Sequence, residues 1–398
     1  MRTKNKGRKL YKTKEKNYYG KSPAGKVFSA VLSVLLIGGI GFIGYSVAEP
    51  ILNYNKKVDD DASAVAATTS PDSESSGAEP TSGEGNSSND PVINEQYKAA
   101  ALGVNDMNSI NALKGALEAV PSDLGIEYVE VPLKVSGGNI YYASSVYEAQ
   151  AAGAVQSSLT LTEIVSAIRA AGYKPAAVIS TFYDNILPSN YPETGYTTAD
   201  DGSQWIDDNY DSGGKPWVTP YSENAVEYIC SIADEAVNAG FEKVICSDFM
   251  FPHFRPTDLE LLDSRLSASD RFMVMTSAAN LLYDRITSGG SRMMVEVSAA
   301  EILSNNADVL QPMMLSAKTI ILDINMDEIS WGISDGWTVY EFTGTPAEKV
   351  KKCLGFVSEK LEGFNVAVRL SGDSATTEEL IKAKEEIADF GYTSFVIG

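Results

Sequence analysis

The chain has 398 residues with 32 Lys/Arg against 53 Asp/Glu, a formal net charge of −21. Ten of the basic residues fall within residues 1–26, opposed there only by Glu15, so the remainder is strongly acidic. An acidic body repels phosphate backbones, which argues against a nucleic-acid partner.

From Val27 to Ala48 there is no charged residue. As a helix this stretch would rise about 33 Å, enough for a hydrocarbon core of about 30 Å. The basic flank predicts a cytoplasmic N-terminus and an extracytoplasmic body. The sequence thus reads as a basic tail (1–26), a single transmembrane anchor (27–48) that makes the membrane a partner, and a linker (49–95). A cleaved signal peptide is the alternative for 27–48, since "SVA" before Glu49 resembles a small-x-small cleavage site. The linker is dominated by Ser, Asp, Glu, Gly, Ala, Thr and Pro over 56–92, lacks aromatics there, and reads as disordered.

From about Gln96 onward, β-rich runs alternate with helical periodicity. The runs are 97–104, 126–133, 174–181, 241–248, 292–298, 307–314, 364–371 and 393–398. Helical patterns occupy 108–120, 161–171, 222–239, 268–287, 346–361 and 376–390, with Thr345-Pro346 and Thr376 as N-caps and Gly240 and Gly391 as C-terminal glycines. Eight alternating units over residues 96–398 predict a closed (β/α)8 TIM barrel, α/β in class. An open doubly wound sheet is the alternative, but "GVNDMNS" after the first run is no glycine-rich phosphate turn. Long connections at 182–224 and 315–345 carry all four tryptophans, and insertions after strands fall on the C-terminal face, where sites are built.

Cys230, Cys246 and Cys353 lie in apolar patterns without metal-ligand spacing and read as buried thiols. His253 is the lone histidine, which excludes a multi-histidine metal centre. No cofactor and no metal are expected. The remaining chemistry lies in carboxylates at strand ends: Asp106, Glu130, Asp184, Asp248 and Glu296. Two carboxylates across a cleft can act as acid and as base or nucleophile on a glycosidic bond, and Trp and Tyr suit the C–H faces of sugars. In a regular fourth strand Ser247 would share the inner face with Ile245 and Asp248 would point outward, unless a bulge turned it into the mouth.

The stretch "ISTFYDNILPSNYPE", through "GSQWID" and "KPWVTPYSENAVEYICSIADEAVNAGF", to "EKVICSDFMFP" resembles a bacterial family of exported barrels known as putative glycosyl hydrolase domains. Asp184, Pro192, Glu193, Trp205, Asp207, Trp217, Pro220, Tyr228, Glu235, Gly240, Phe241, Phe251 and Pro252 fall on that family's pattern. Upstream it matches at Lys134, Gly138, Tyr142 and Ser144, and downstream at Asp308, Pro312 and Met313. The resemblance implies a barrel with a carbohydrate partner. Asp248, Asp184 and Glu296 are the expected catalytic carboxylates, and Trp205, Trp217, Tyr221 and Lys134 the expected substrate-binding groups. Departures stand at Pro132, Ser247, Met250, Ala300 and Leu315, where the family has other residues. The expected function is therefore glycoside hydrolysis on cell-surface or extracellular glycans. The alternative is a barrel that binds glycans or envelope components without turnover.

Overall fold

The computed structural model describes residues 96–262, 264–372 and 375–398. The expected basic tail, anchor and linker (1–26, 27–48 and 49–95) lie outside the described residues. Among the described residues no helix is long and apolar enough to cross a membrane.

Eight parallel strands close into a barrel. They are β1 (Lys98–Ala101), β2 (Tyr128–Lys134), β3 (Lys174–Ser180), β4 (Lys243–Ser247), β5 (Arg292–Ser298), β6 (Thr319–Asn325), β7 (Asn365–Ser371) and β8 (Ser394–Ile397). Each pairs with its sequence neighbours, and β8 pairs with β1 to complete the ring. The longer helices are α1 (Ile110–Ala119), α2 (Leu161–Ala170), α3 (Glu223–Ala239), α4 (Ala268–Ser288), α5 (Ala299–Ser304), α6 (Pro346–Val357) and α7 (Thr377–Asp389). Capping boxes open three of them. Thr160 with Glu163, Thr345 with Glu348 and Thr376 with Glu379 each satisfy otherwise orphaned first-turn N–H groups. Gly240 ends α3 at φ 92°, a left-handed conformation that glycine adopts without a Cβ penalty.

The barrel is the one expected, but its sixth strand is not 307–314. That place belongs to β6, inside the segment read as a long connection. Residues 307–314 instead cross the mouth as a strap, bridging Val309 to Met250 in antiparallel fashion. Phe251 N–H donates to Asp308 O at 2.6 Å, and Leu310 N–H donates to Phe249 O at 2.8 Å. The strap has extended backbone and apolar residues because it pairs with the loop after β4. Pro312, lacking an N–H, and Met314 at φ 57° do not continue a ladder.

Two apolar layers follow from the strand alternation. The larger lies between strands and helices and takes in all three cysteines, whose thiols burial pushes up. The smaller fills the barrel: Tyr97, Ala99, Tyr128, Ala176, Ile245, Met294, Ile321, Ala367 and Val396. Alanines on β1, β3 and β7 leave room for the rings of Tyr97 and Tyr128, which pack 4.9 Å apart. Two residues beyond these inward positions, the same face turns polar: Glu130, Ser247, Glu296, Asp323 and Arg369. Apolar packing thus seals the barrel's lower part, and charge caps it.

Candidate active site

The polar cap opens into a cavity of about 220 Å³ at the C-terminal mouth, whose lining includes Asp248, Glu296, Ser298, Glu301, Asp323 and Glu328. Arg369 lies behind this lining, against Glu296. Its Nη2 donates to Glu130 Oε2 at 2.7 Å and lies 2.7 Å from Glu296 Oε2. Only the first contact has hydrogen-bond alignment, so Arg369 Nε and Glu296 Oε2 are buried polar atoms without a hydrogen-bond partner. Glu130 also accepts from Tyr97 OH at 2.9 Å, and Asp323 accepts from Ser371 Oγ at 2.8 Å.

One guanidinium cannot neutralise three carboxylates, and the surplus negative charge falls on Glu296. Burial raises its pKa from the ordinary 4.5 to about 7; Arg369 opposes the rise, while Asp323, Glu130 and Asp248 add to it. Burial also raises Asp323, to about 6, against the pull of Ser371 and Arg369. Arg369 itself stays charged, because Glu130, Glu296 and Asp323 together outweigh its desolvation.

Asp248 reaches the cavity by a route other than a bulge. The β4 ladder runs in register to Ser247, opposite Ser180, and the next residue takes φ 54°. This left-handed turn, which Asp tolerates better than most residues, swings the carboxylate inward. There Asp248 Oδ2 accepts from Ser136 Oγ at 2.6 Å and from Ser180 Oγ at 2.5 Å. A carboxylate therefore enters the cavity from the position just after Ser247.

Other expected site residues are placed elsewhere. Asp184 is buried and absent from the cavity lining; its Oδ2 lies 3.0 Å from Lys134 Nζ. Its Oδ1 accepts from Ile186 and Leu187 N–H at 2.8 and 3.0 Å, opening the short helix Ile186–Asn190. Lys134, equally buried, donates to Ser180 O at 2.9 Å and ties β2 to the end of β3. Gly138 belongs to the same knot: a Cβ there would sit 2.2 Å from Asp184 Oδ1, and its φ is 104°. Gly138→Ala is therefore expected to cost about 2–3 kcal/mol or more, read from the denaturant midpoint.

Trp205, Trp217 and Tyr221, the expected sugar groove, do not line the cavity. Trp205, 6% exposed, packs among Tyr196 and Phe254. Trp217, 8% exposed, stacks on Tyr183 at 4.4 Å and donates Nε1–H to Asp207 Oδ2 at 2.8 Å. Tyr221 faces the seam between α3 and α4 and donates its hydroxyl to Arg265 O. Many positions that carried the resemblance knit loops together in the same way. Tyr142 OH and Ser144 Oγ both donate to Glu235 Oε2 at 2.6 Å, pinning the segment after β2 to α3. Asp106 accepts from Gly103 N–H at 2.8 Å, a local turn bond. Asp323, Glu301, Glu328 and Arg369 escaped the sequence reading. Arg369 and Asp323 carried one available signal, a lone charge inside an otherwise apolar strand.

Fold and mouth together define a (β/α)8 barrel with an acidic cavity at its C-terminal face. The chain belongs to the family described as "Putative glycosyl hydrolase domain", whose model matches residues 102–314. No curated protein matches the chain. Among solved structures it is similar to the glycoside hydrolase domain of PgaB (BpsB) from Bordetella bronchiseptica. That likeness has 11% identity and a TM-score of 0.48, over 76% of this chain and 93% of that one. An α-galactosidase from Thermus thermophilus matches at 10% identity and TM-score 0.48, over 76% of this chain and 57% of that one. A hypothetical protein from Ruminiclostridium thermocellum matches at 20% identity and TM-score 0.41, over 49% and 96%.

Proposed function

We propose that this barrel hydrolyses glycosidic bonds, with Glu296 as proton donor and Asp248 as the second carboxylate. One observation carries the reading: both acids line one cavity, where burial raises the Glu296 pKa to about 7. A carboxylic acid that is still protonated at neutral pH can give its proton to the leaving glycosidic oxygen as the C–O bond breaks. Asp248, held by two serine hydroxyls, either takes a proton from the attacking water or bonds to the anomeric carbon itself. Arg369 pairs with Glu130 beside them and stays within 2.7 Å of Glu296 Oε2. The glycan would be extracytoplasmic, with residues 27–48 holding the barrel at the membrane.

Reducing-end release from a panel of polysaccharides tests this reading. Wild-type rates are expected to fall as pH rises through about 7, where Glu296 loses its proton. Asp248→Asn is expected to reduce turnover by roughly 10²-fold or more, with stability little changed because Asn accepts a left-handed φ as readily as Asp. Turnover that survives this change excludes Asp248 as a reacting group.

A second reading, glycan binding without turnover, draws on the contact between Arg369 and Glu296. A guanidinium that holds Glu296 ionised would leave the cavity no proton to give. Retention of a glycan with no reducing ends released would favour it.

A further inference from the structure

The insert after β6 supplies one wall of the cavity and then leaves it. Asn325 Oδ1 accepts from Asp327 and Glu328 N–H at 2.9 and 3.3 Å, opening the single turn Met326–Ile329 that delivers Glu328 to the lining. Trp331 follows just past the end of this turn, capped at Ser330, and is 92% exposed. Trp337 is 97% exposed on the turn between Ile333–Ser334 and Val339–Tyr340.

These indoles are presented by built structure. Asp335 Oδ1 accepts from Trp337 and Thr338 N–H at 2.8 and 2.7 Å, and Tyr340 OH donates to Asp335 Oδ2 at 3.2 Å. Underneath, Tyr340 and Phe342 pack on Phe356 of α6, with ring centroids 5.1 and 6.1 Å away, and Ile329 and Ile333 are buried. The underside is anchored while both rings face water. Two large apolar rings held in water are costly, and among the described residues neither is covered.

Charge narrows what could cover them. Residues 326–341 hold Asp327, Glu328, Asp335 and Glu341 and no Lys or Arg. Lys349 Nζ reaches Ser330 Oγ at 2.8 Å and Lys360 acts on Asp335, so these four acids face two cations. The surface stays acidic, which disfavours anionic lipid and phosphate chains. An uncharged sugar chain meets no such barrier: its C–H faces pack on indole and its hydroxyls donate to carboxylates. The cavity is also small beside the ~300–1,000 Å³ usual for ligand sites. A polymer cleaved there would lie mostly outside it.

We infer that Trp331 and Trp337 form an aromatic platform that holds an uncharged polysaccharide beside the cavity. The inference rests on the hydrolase reading for the class of ligand, but it is tested by binding alone. Native electrophoresis of the full chain, through gels containing xylan, hydroxyethyl cellulose, glycol chitin or starch, reads the affinity. Retardation by at least one polymer is expected, weakened at least tenfold in Trp331→Ala/Trp337→Ala. Absence of retardation by all four, or equal retardation of wild type and double variant, overturns the platform. So does a tryptophan-dependent gain in sedimentation with phosphatidylcholine/phosphatidylglycerol vesicles, or self-association that the double variant abolishes. Tryptophan-dependent retardation without reducing-end release would retain the platform and remove the hydrolase reading. Cleavage with unchanged retardation would do the reverse.

Discussion

Glu296→Gln is expected to lower glycoside cleavage by roughly 10²–10⁴-fold and, at pH 8, to make the barrel more stable than the wild type. The two effects share one cause. Glu296 titrates at about 7 in the folded chain against 4.5 ordinarily, so between these values the folded state binds more protons than the unfolded one. Stability therefore falls as pH rises from about 4.5 through about 7 and stays lower above. Glutamine supplies the neutral form at every pH. Arg369 keeps its aligned bond to Glu130, so the loss of the charge at 296 does not strand it. Thermal melts should show the variant roughly 5–10 °C above wild type at pH 8 and close to it near pH 4.5. A variant less stable than wild type at pH 8 would mean that Arg369 stabilises the ionised Glu296 by more than burial penalises it. Asp323→Asn should act in the same direction, through its own rise to about 6.

The largest loss of stability should come from Asp184→Ala, at about 3–5 kcal/mol. Removing this carboxylate leaves Lys134 charged and buried and strips the acceptor from the Ile186 and Leu187 N–H groups. The loop after β2, the end of β3 and the 182–224 insertion meet here, where Val218 N–H also donates to Asp184 O at 3.0 Å. Breaking the pair should therefore loosen three segments together. Lys134→Met combined with Asp184→Leu should recover part of the loss, since two apolar groups leave no unpaired charge. Denaturant unfolding of the singles and the double gives the coupling. Turnover abolished in Asp184→Asn at unchanged stability would instead place Asp184 in the chemistry.

The barrel was legible where local rules agree with the fold: apolar runs closed by glycines, and threonine caps answered by glutamates three residues on. It was misread at 307–314, because a strap pairing with a loop has the same apolar, extended signature as a strand in a ladder. β6 was hidden behind that strap, and Asp323 with it. Glu296 and Glu130 were visible as lone acids in apolar strands. The inward turn of Asp248 was not, because a left-handed φ at an aspartate leaves no mark on the residues around it. Residue type did not separate buried from exposed indoles either. Trp217 is buried through Tyr183 and Asp207, whereas Trp331 and Trp337 stand among Gly, Ser and Asp on an insert whose anchoring residues lie on its other face.

The account turns on a proton held at one oxygen beside Asp248 near neutral pH. The carboxyl ¹³C resonance of Glu296, assigned by its disappearance in Glu296→Gln and followed from pH 3 to pH 9 in the otherwise unaltered chain, reads that proton. A midpoint at about 7 is the predicted result. A midpoint in the ordinary range near 4.5 would show that Glu296 is ionised at neutral pH, and would contradict Glu296 as the donor.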